Sequence, residues 1–228
     1  MGLSPFDFME QKLFLFDVDG TLMSSPSFLE EYQKYLGEQY SKYFSRSIKI
    51  DFSGLHGGTE RKNLRILLKR QNLEPSEKQM DEIFRMTGNN YIATPNNSVL
   101  LSNVFEPVNI LSKSCLLSIV TGNQETIARK RLKIIGLNKY FSFGAFGNES
   151  EDRSELVRQV LERSKTFGWG GNLNDAYVVG DTPADVESGK STRTKTVAVT
   201  TGSYSKEILA KSNPNYLISN LSELLILR

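Results

Sequence analysis

Phe14-Leu15-Phe16-Asp17-Val18-Asp19-Gly20-Thr21 is an apolar run that ends in two carboxylates two residues apart, followed by a turn. A short, nearly continuous apolar strand is the mark of a sheet covered on both faces, and open α/β sheets gather their ligands at the C-terminal ends of such strands. Taken alone the ending says little, because Asp-Gly is a common turn and a single acid at a strand end is ordinary. An Asp-x-Asp calcium loop is a second reading. It fails at the sixth loop position, which is Leu22 where that loop needs Gly, and such a loop would have to open straight from a strand.

Working outward, the runs 12–17, 115–121, 140–146, 176–180, 195–200 and 216–218 are short, apolar and rich in β-formers, and helical patterns separate them. This alternation predicts an α/β fold with a Rossmann-like parallel sheet. After the 115–121 run, Asn123 is a fair N-cap, Ile127, Ala128, Leu132 and Ile135 hold one apolar helix face, and Gly136 closes the helix. Leu156, Val157, Val160 and Leu161 mark the next helix, and Pro183 sits where a helix start tolerates it. Residues 23–97 break the pattern. Phe28, Leu29, Tyr32, Tyr35, Leu36, Tyr40 and Tyr43 recur at helical spacing, as do Leu64, Leu67 and Leu68; Ser76 and Gln79 form a capping box before Met80, Ile83 and Phe84. The expected organisation is a core of residues 1–22 and 98–228 with a small helical cap, 23–97, inserted after the first strand. The aromatic stripe reads as the core of that cap.

The bulk composition narrows the function classes. Hydrophobic residues make up 39% and charged residues 24% of the 228, and the net charge is +2. That balance supports a buried core and gives no reason to expect nucleic acid or an anionic membrane as partner. No apolar run reaches the roughly 20 residues of a spanning helix, and the first residues lack the order of a signal peptide. Cys115 is the single cysteine, so no internal disulfide forms; it opens an apolar run and reads as core, and the expected compartment is the cytoplasm. Nothing in the pattern sets an oligomeric state.

Two later strand ends carry chemistry. Ile119-Val120-Thr121-Gly122-Asn123 ends in a hydroxyl beside a helix start, a good place for a phosphate oxygen. Val178-Val179-Gly180-Asp181-Thr182-Pro183-Ala184-Asp185 ends in a carboxylate pair, and Asp152-Arg153 opens the helix before it. Parallel strands present these ends on one edge of the sheet. Acids, a hydroxyl and a cation gathered there suit joint binding of a divalent metal and a phosphate.

Those elements, in that order, resemble the haloacid dehalogenase superfamily, and within it the phosphoglycolate phosphatase-like branch. Segments 99–123, 144–147 and 197–202 are similar to that branch too, so the likeness runs over nearly the whole chain. It implies a hydrolase that removes the phosphoryl group from a small phosphorylated metabolite. Asp17 would attack phosphorus and Asp19 would protonate the leaving oxygen, then activate water. Magnesium would be held by the side chains of Asp17 and Asp181 and the backbone carbonyl of Asp19, with Asp185 behind it orienting bound waters. Thr121, Gly122, Asn123 and Arg153 would hold the phosphoryl oxygens. Asp19 favours oxygen leaving groups, since a departing halide needs no proton. The same motifs leave open a phosphomutase of this superfamily and a catalytically silent binding module.

The chain departs from the family pattern at several places. The basic residue is Arg153 rather than the commoner Lys, which changes its reach and donor geometry. Ser102-Asn103 replaces a usual Pro-Gly, and Pro107 falls in the following helix, which is expected to start late or kink. Gly57-Gly58-Thr59-Glu60 stands where relatives often place a basic residue second, which sets phosphoglycolate itself in question as substrate. His56 reads as a cap loop residue, and Ser188-Gly189-Lys190-Ser191 lacks the first glycine of a phosphate-binding loop. Lys165 is expected to face water. Hinges of a moving cap are expected near 23–26 and 94–97.

Overall fold

The computed structural model describes residues 11–24, 28–55 and 57–228; His56 and residues 25–26 of the first expected hinge lie outside them. The chain runs β1 (Leu13–Phe16), β2 (Met23–Ser24), α1 (Phe28–Phe44), α2 (Glu60–Lys69), α3 (Glu77–Asn90), β3 (Val99–Leu100), α4 (Phe105–Leu111) and β4 (Leu116–Thr121). It continues through α5 (Glu125–Ile134), β5 (Gly144–Phe146), α6 (Arg153–Thr166), β6 (Ala176–Gly180), α7 (Pro183–Ser191), β7 (Lys195–Val199), α8 (Lys206–Lys211) and β8 (Tyr216–Ile218).

Six of the strands form one sheet in the order β5-β4-β1-β6-β7-β8, every pair parallel. β1 lies in the middle, and its residues alternate between two cores as a pleated strand requires. Phe14 and Phe16 point to the face that α4 and α5 cover with Val108, Leu111, Ala128 and Leu132. Leu13 and Leu15 point to the other face, against Leu156, Val157 and Val160 of α6. All four β1 side chains are fully buried, and burial of each such side chain stabilises by about 1.5–3 kcal/mol. The fold is thus the expected α/β parallel sheet.

The helices between β2 and β3 have a core of their own. Tyr32, Leu36 and Tyr40 of α1 pack with Leu64, Leu67 and Leu68 of α2 and Met80, Ile83 and Phe84 of α3, and Ile127 of α5 enters the same cluster from the sheet side. Ser76 and Gln79 make the expected reciprocal cap at the head of α3.

Four details differ from the sequence reading. The 140–146 run is not one strand: Asn138–Tyr140 turns as a 3-10 helix, and only Gly144–Phe146 joins the sheet. β2 and β3, two residues each, pair antiparallel at the root of the inserted helices, too short for any periodicity to announce them. Pro107 is the third residue of α4, inside the first turn where its missing N–H costs nothing, so no kink follows. Asn123 is not the N-cap of α5; Gln124 holds that position without a side-chain cap, and the Asn123 amide donates to Asp19 instead. Among the described residues no helix is long and apolar enough to cross a membrane.

Candidate active site

Strand register aligns the site. Phe16 pairs with Ile119 on one side and Val179 on the other, so Asp17, Thr121 and Asp181 emerge at adjacent strand ends on one edge of the sheet. The Asp17 N–H donates to the Val179 carbonyl at 2.9 Å, which carries the β1 ladder up to the carboxylate itself.

Asp17, Asp181 and Asp185 are all buried, and each offers an oxygen within 4.8 Å of the others'. Among the described residues the cation paired with them is Arg153, whose Nη2 lies 2.8 Å from Asp17 Oδ1 and 2.5 Å from Asp185 Oδ1. Burial pushes Asp17 up to about 7, with Asp185 and Asp19 adding to the rise and Arg153 opposing it. Asp181 goes up to about 8, again chiefly by burial and then by the neighbouring Asp17 and Asp185. Arg153 is held firmly protonated by the two acids against the effect of burial, and its Nε is buried without a partner. Asp185 is fixed from behind: its Oδ2 accepts from the Thr182 hydroxyl at 2.7 Å and the Thr182 N–H at 3.0 Å, the capping box of α7.

Two glycines make room for Asp181. Gly20 turns with φ of +78°, and a Cβ there would come within 2.3 Å of Asp181 Oδ2; a Cβ on Gly202 would come within 1.7 Å of the same oxygen. Thr21 donates to Asp181 Oδ1 at 3.3 Å. Three converging buried acids, two of them raised chiefly by burial and further by their neighbours, form a hard oxygen donor set short of positive charge. That set fits a divalent cation such as magnesium, and the absence of His and Cys from it disfavours zinc.

Asp19 faces the other way. Arg131 of α5 grips it as a fork, Nη2 to Oδ1 at 2.6 Å and Nη1 to Oδ2 at 3.0 Å, and the Asn123 amide donates to Oδ2 at 2.6 Å. Burial raises the Asp19 carboxyl, but the Arg131 charge and the hydrogen bonds outweigh it and hold the group below its usual value. Arg131 is fully buried and also donates from Nε to the Asn97 carbonyl at 3.3 Å, where the chain returns from the inserted helices.

Asp17, Asp19, Thr121, Gly122, Asn123, Arg153 and Asp181 all line one cavity of about 530 Å³ between the sheet edge and the inserted helices. Asp185 stands behind Arg153 and outside that lining. Lys165 pairs with Glu162 in solvent and does not line this cavity. Gly189 is packed against Thr196, a tight helix-on-sheet contact.

The sequence reading passed over Arg131 and named Glu60 only as the end of the 57–60 stretch, without a role. Arg131 falls on the apolar stripe, four residues after Ile127 and three after Ala128, and a cation on a buried stripe needs a buried partner. Glu60 gave no such signal. It heads α2, and its carboxylate accepts from the Gln124 N–H at 2.6 Å and from the Tyr32 hydroxyl. Its own N–H donates to the Gly122 carbonyl and that of Arg61 to the Gly147 carbonyl, both at 2.8 Å, so the first turn of α2 docks on the strand-end loops. Burial pushes Glu60 up to about 8, with the Gln124 bond and Arg131 opposing and Asp19 adding.

The chain belongs to the haloacid dehalogenase-like hydrolases, whose family model matches residues 14–199. It is 27% identical over 222 residues to a phosphoglycolate phosphatase from Aquifex aeolicus, covering 93% of this chain and 94% of that one. A pyrophosphatase from Listeria welshimeri is 23% identical over 225 residues, with 92% and 93% covered. In fold it is similar to a haloacid dehalogenase-like hydrolase from Streptococcus pneumoniae, with a TM-score of 0.63 at 19% identity over 95% of this chain and 98% of that one.

Proposed function

We propose that this hydrolase is a magnesium-dependent phosphatase that cleaves a small phosphate monoester through an aspartyl-phosphate on Asp17. The observation that carries the reading is the juxtaposition of Asp17, Asp181 and Asp185 with Arg153 and Thr121 at one sheet edge. The side chains of Asp17 and Asp181 and the backbone carbonyl of Asp19 would hold magnesium, and Asp185 would orient it from behind. When bound, the ion supplies positive charge against the carboxylate cluster and the phosphoryl oxygens.

In the first step an Asp17 carboxylate oxygen forms a bond to phosphorus while the bond from phosphorus to the ester oxygen breaks. The departing oxygen takes a proton from Asp19 and leaves as the alcohol. In the second step water attacks phosphorus, Asp19 receives its proton, and the bond to Asp17 breaks to release phosphate. Arg153 and Thr121, with Gly122 and Asn123, hold the phosphoryl oxygens and offset the charge that develops on them. Arg131 is a positioning residue in this scheme. Its fork keeps Asp19 ionised and turned from the acidic cluster, ready as the base of the second step. A substrate dianion next to Asp19 drives that carboxyl back toward the protonated form needed in the first.

Residues 23–97 act as a lid that closes over the bound ester and excludes water, with 94–97 as one hinge. The single buried thiol, Cys115, suits a reducing compartment such as the cytoplasm.

The test is phosphate release from p-nitrophenyl phosphate. Turnover should require magnesium, stop with excess chelator and return when magnesium is restored. Asp17→Asn should lower it by about 10⁴-fold or more with an unchanged circular dichroism spectrum. Full activity in chelator would refute the metal, and a competent Asp17→Asn variant would refute the nucleophile.

A further inference from the structure

The two sides of the cavity differ sharply in charge. Among the described residues that line it, the one cation is Arg153, and both acids it serves belong to the phosphoryl end of the site. The inserted helices and their loops contribute Leu29, Tyr32, Phe52, Leu55, Asn63 and Glu60. That wall is aromatic and aliphatic, with Asn63 and the raised carboxyl of Glu60 among its few polar groups and no cation among its described residues. Glu60 is fixed in place by the Tyr32 hydroxyl and the Gln124 N–H, so it does not swing away from an approaching ligand. Tyr32 and Phe52 lie parallel, with ring centroids 6.3 Å apart, and stiffen the same wall.

A phosphate ester set with its phosphoryl group at Asp17 directs its leaving group toward this wall. If that group carried a carboxylate or a second phosphate, an anion would lose its water among aromatic rings and meet no cation among the described residues of that wall. Desolvating a charge without a partner is unfavourable. An uncharged leaving group avoids that penalty and buries its apolar surface against Tyr32, Phe52 and Leu55.

We propose that the substrate of this site is a monoester whose leaving group is an uncharged alcohol with a substantial apolar or aromatic body, and that esters bearing a second anion, phosphoglycolate included, are selected against by the cap wall. This rests on the phosphatase reading above. Arg153 and the carboxylate cluster perform the chemistry, and the aromatic wall sets what the phosphate may be attached to.

The test compares kcat/KM of the full chain with magnesium for 2-phenylethyl phosphate, phosphoglycolate and pyrophosphate, with p-nitrophenyl phosphate as the generic ester. Phenylethyl phosphate and phosphoglycolate both release an alkyl alcohol, so their ratio reports the wall. The expected ratio favours the phenylethyl ester by roughly tenfold or more. Asn63→Arg, which places a cation on the same wall, should narrow that ratio by raising kcat/KM for phosphoglycolate. A wild-type preference for phosphoglycolate or pyrophosphate, or equal values for all, would overturn the inference and leave the phosphatase intact. Absence of turnover with every ester, p-nitrophenyl phosphate included, would remove the phosphatase reading and the inference with it.

Discussion

The sheet-edge wall and the cap wall of the cavity are built by different means. Asp17, Thr121 and Asp181 follow parallel strands whose register is fixed by backbone hydrogen bonds, so their spacing is set by the ladder and survives exchange of most neighbouring side chains. Tyr32, Phe52 and Glu60 reach the cavity through helix packing and the docking of one helical turn on two carbonyls. The first wall concentrates acids around one guanidinium; the second is aromatic with one acid. A ladder holds reacting groups to the tolerance that catalysis needs, while packed helices can be redecorated without disturbing it. On the proposed reading, chemistry belongs to the first wall and selectivity to the second.

Variants on the sheet-edge wall should break turnover itself. Arg153→Ala removes the one cation of the phosphoryl end and should lower kcat by roughly 10²–10³-fold, as loss of a positioned donor at a developing anion does. Arg153→Lys should recover part of this, since the charge returns without the fork. Steady-state rates on p-nitrophenyl phosphate check both, and wild-type kcat in Arg153→Ala would contradict the assignment.

Arg131→Met sharpens the comparison, because Arg131 joins the two regions through Asp19 and the Asn97 carbonyl. The variant keeps the apolar stem and frees Asp19. It should lower kcat by roughly tenfold to 10²-fold with little change in KM, in line with loss of a positioned acid–base group. Its stability cost should be about 1–3 kcal/mol, less than for a fully buried pair because Asp19 keeps some access to water. A shift in KM alone would mean that Arg131 serves substrate binding instead.

The smallest effect is on stability and pH without metal. Asp17 rises from 3.8 to about 7 and Asp181 from 3.8 to about 8 in the folded chain. Between those limits the unfolded chain has released protons that the native state still holds, so these two acids lower native stability progressively as pH climbs from about 4 toward 8. Asp181→Asn removes one of them. Metal-free, the variant should gain a few degrees in Tm over the wild type between pH 5 and pH 8. Magnesium should reverse the ranking by stabilising only the wild type strongly. A Tm difference independent of pH would show that Asp181 does not hold its proton.

The same contrast explains what was legible in the chain. Strands β1, β4, β6, β7 and β8 announced themselves as largely apolar runs, because most of their side chains are packed against helices or neighbouring strands. Their endings carried the acids, so the sheet-edge residues could be picked out in order. β2 and β3 were silent, since two residues have no period. Asn123 looked like a cap because Asn often is one; its amide is drawn instead to Asp19, a residue 104 positions earlier. Glu60 looked like any acid in a first helical turn, and only the approach of α2 to Gly122 and Gly147 buries it. Local pattern reports what backbone and burial demand locally, and such long-range encounters leave no trace in it.

The central claim is that Asp17 carries the phosphoryl group during turnover. Quenching the magnesium-loaded enzyme in acid during steady hydrolysis of p-nitrophenyl phosphate, reducing with borohydride and mapping peptides by mass spectrometry reads that directly. Reduction converts an acyl phosphate to an alcohol, so residue 17 should appear as homoserine in the working enzyme and as unmodified Asp when substrate is omitted. Homoserine at another acidic position, or none at residue 17 while phosphate is being released, would contradict the account.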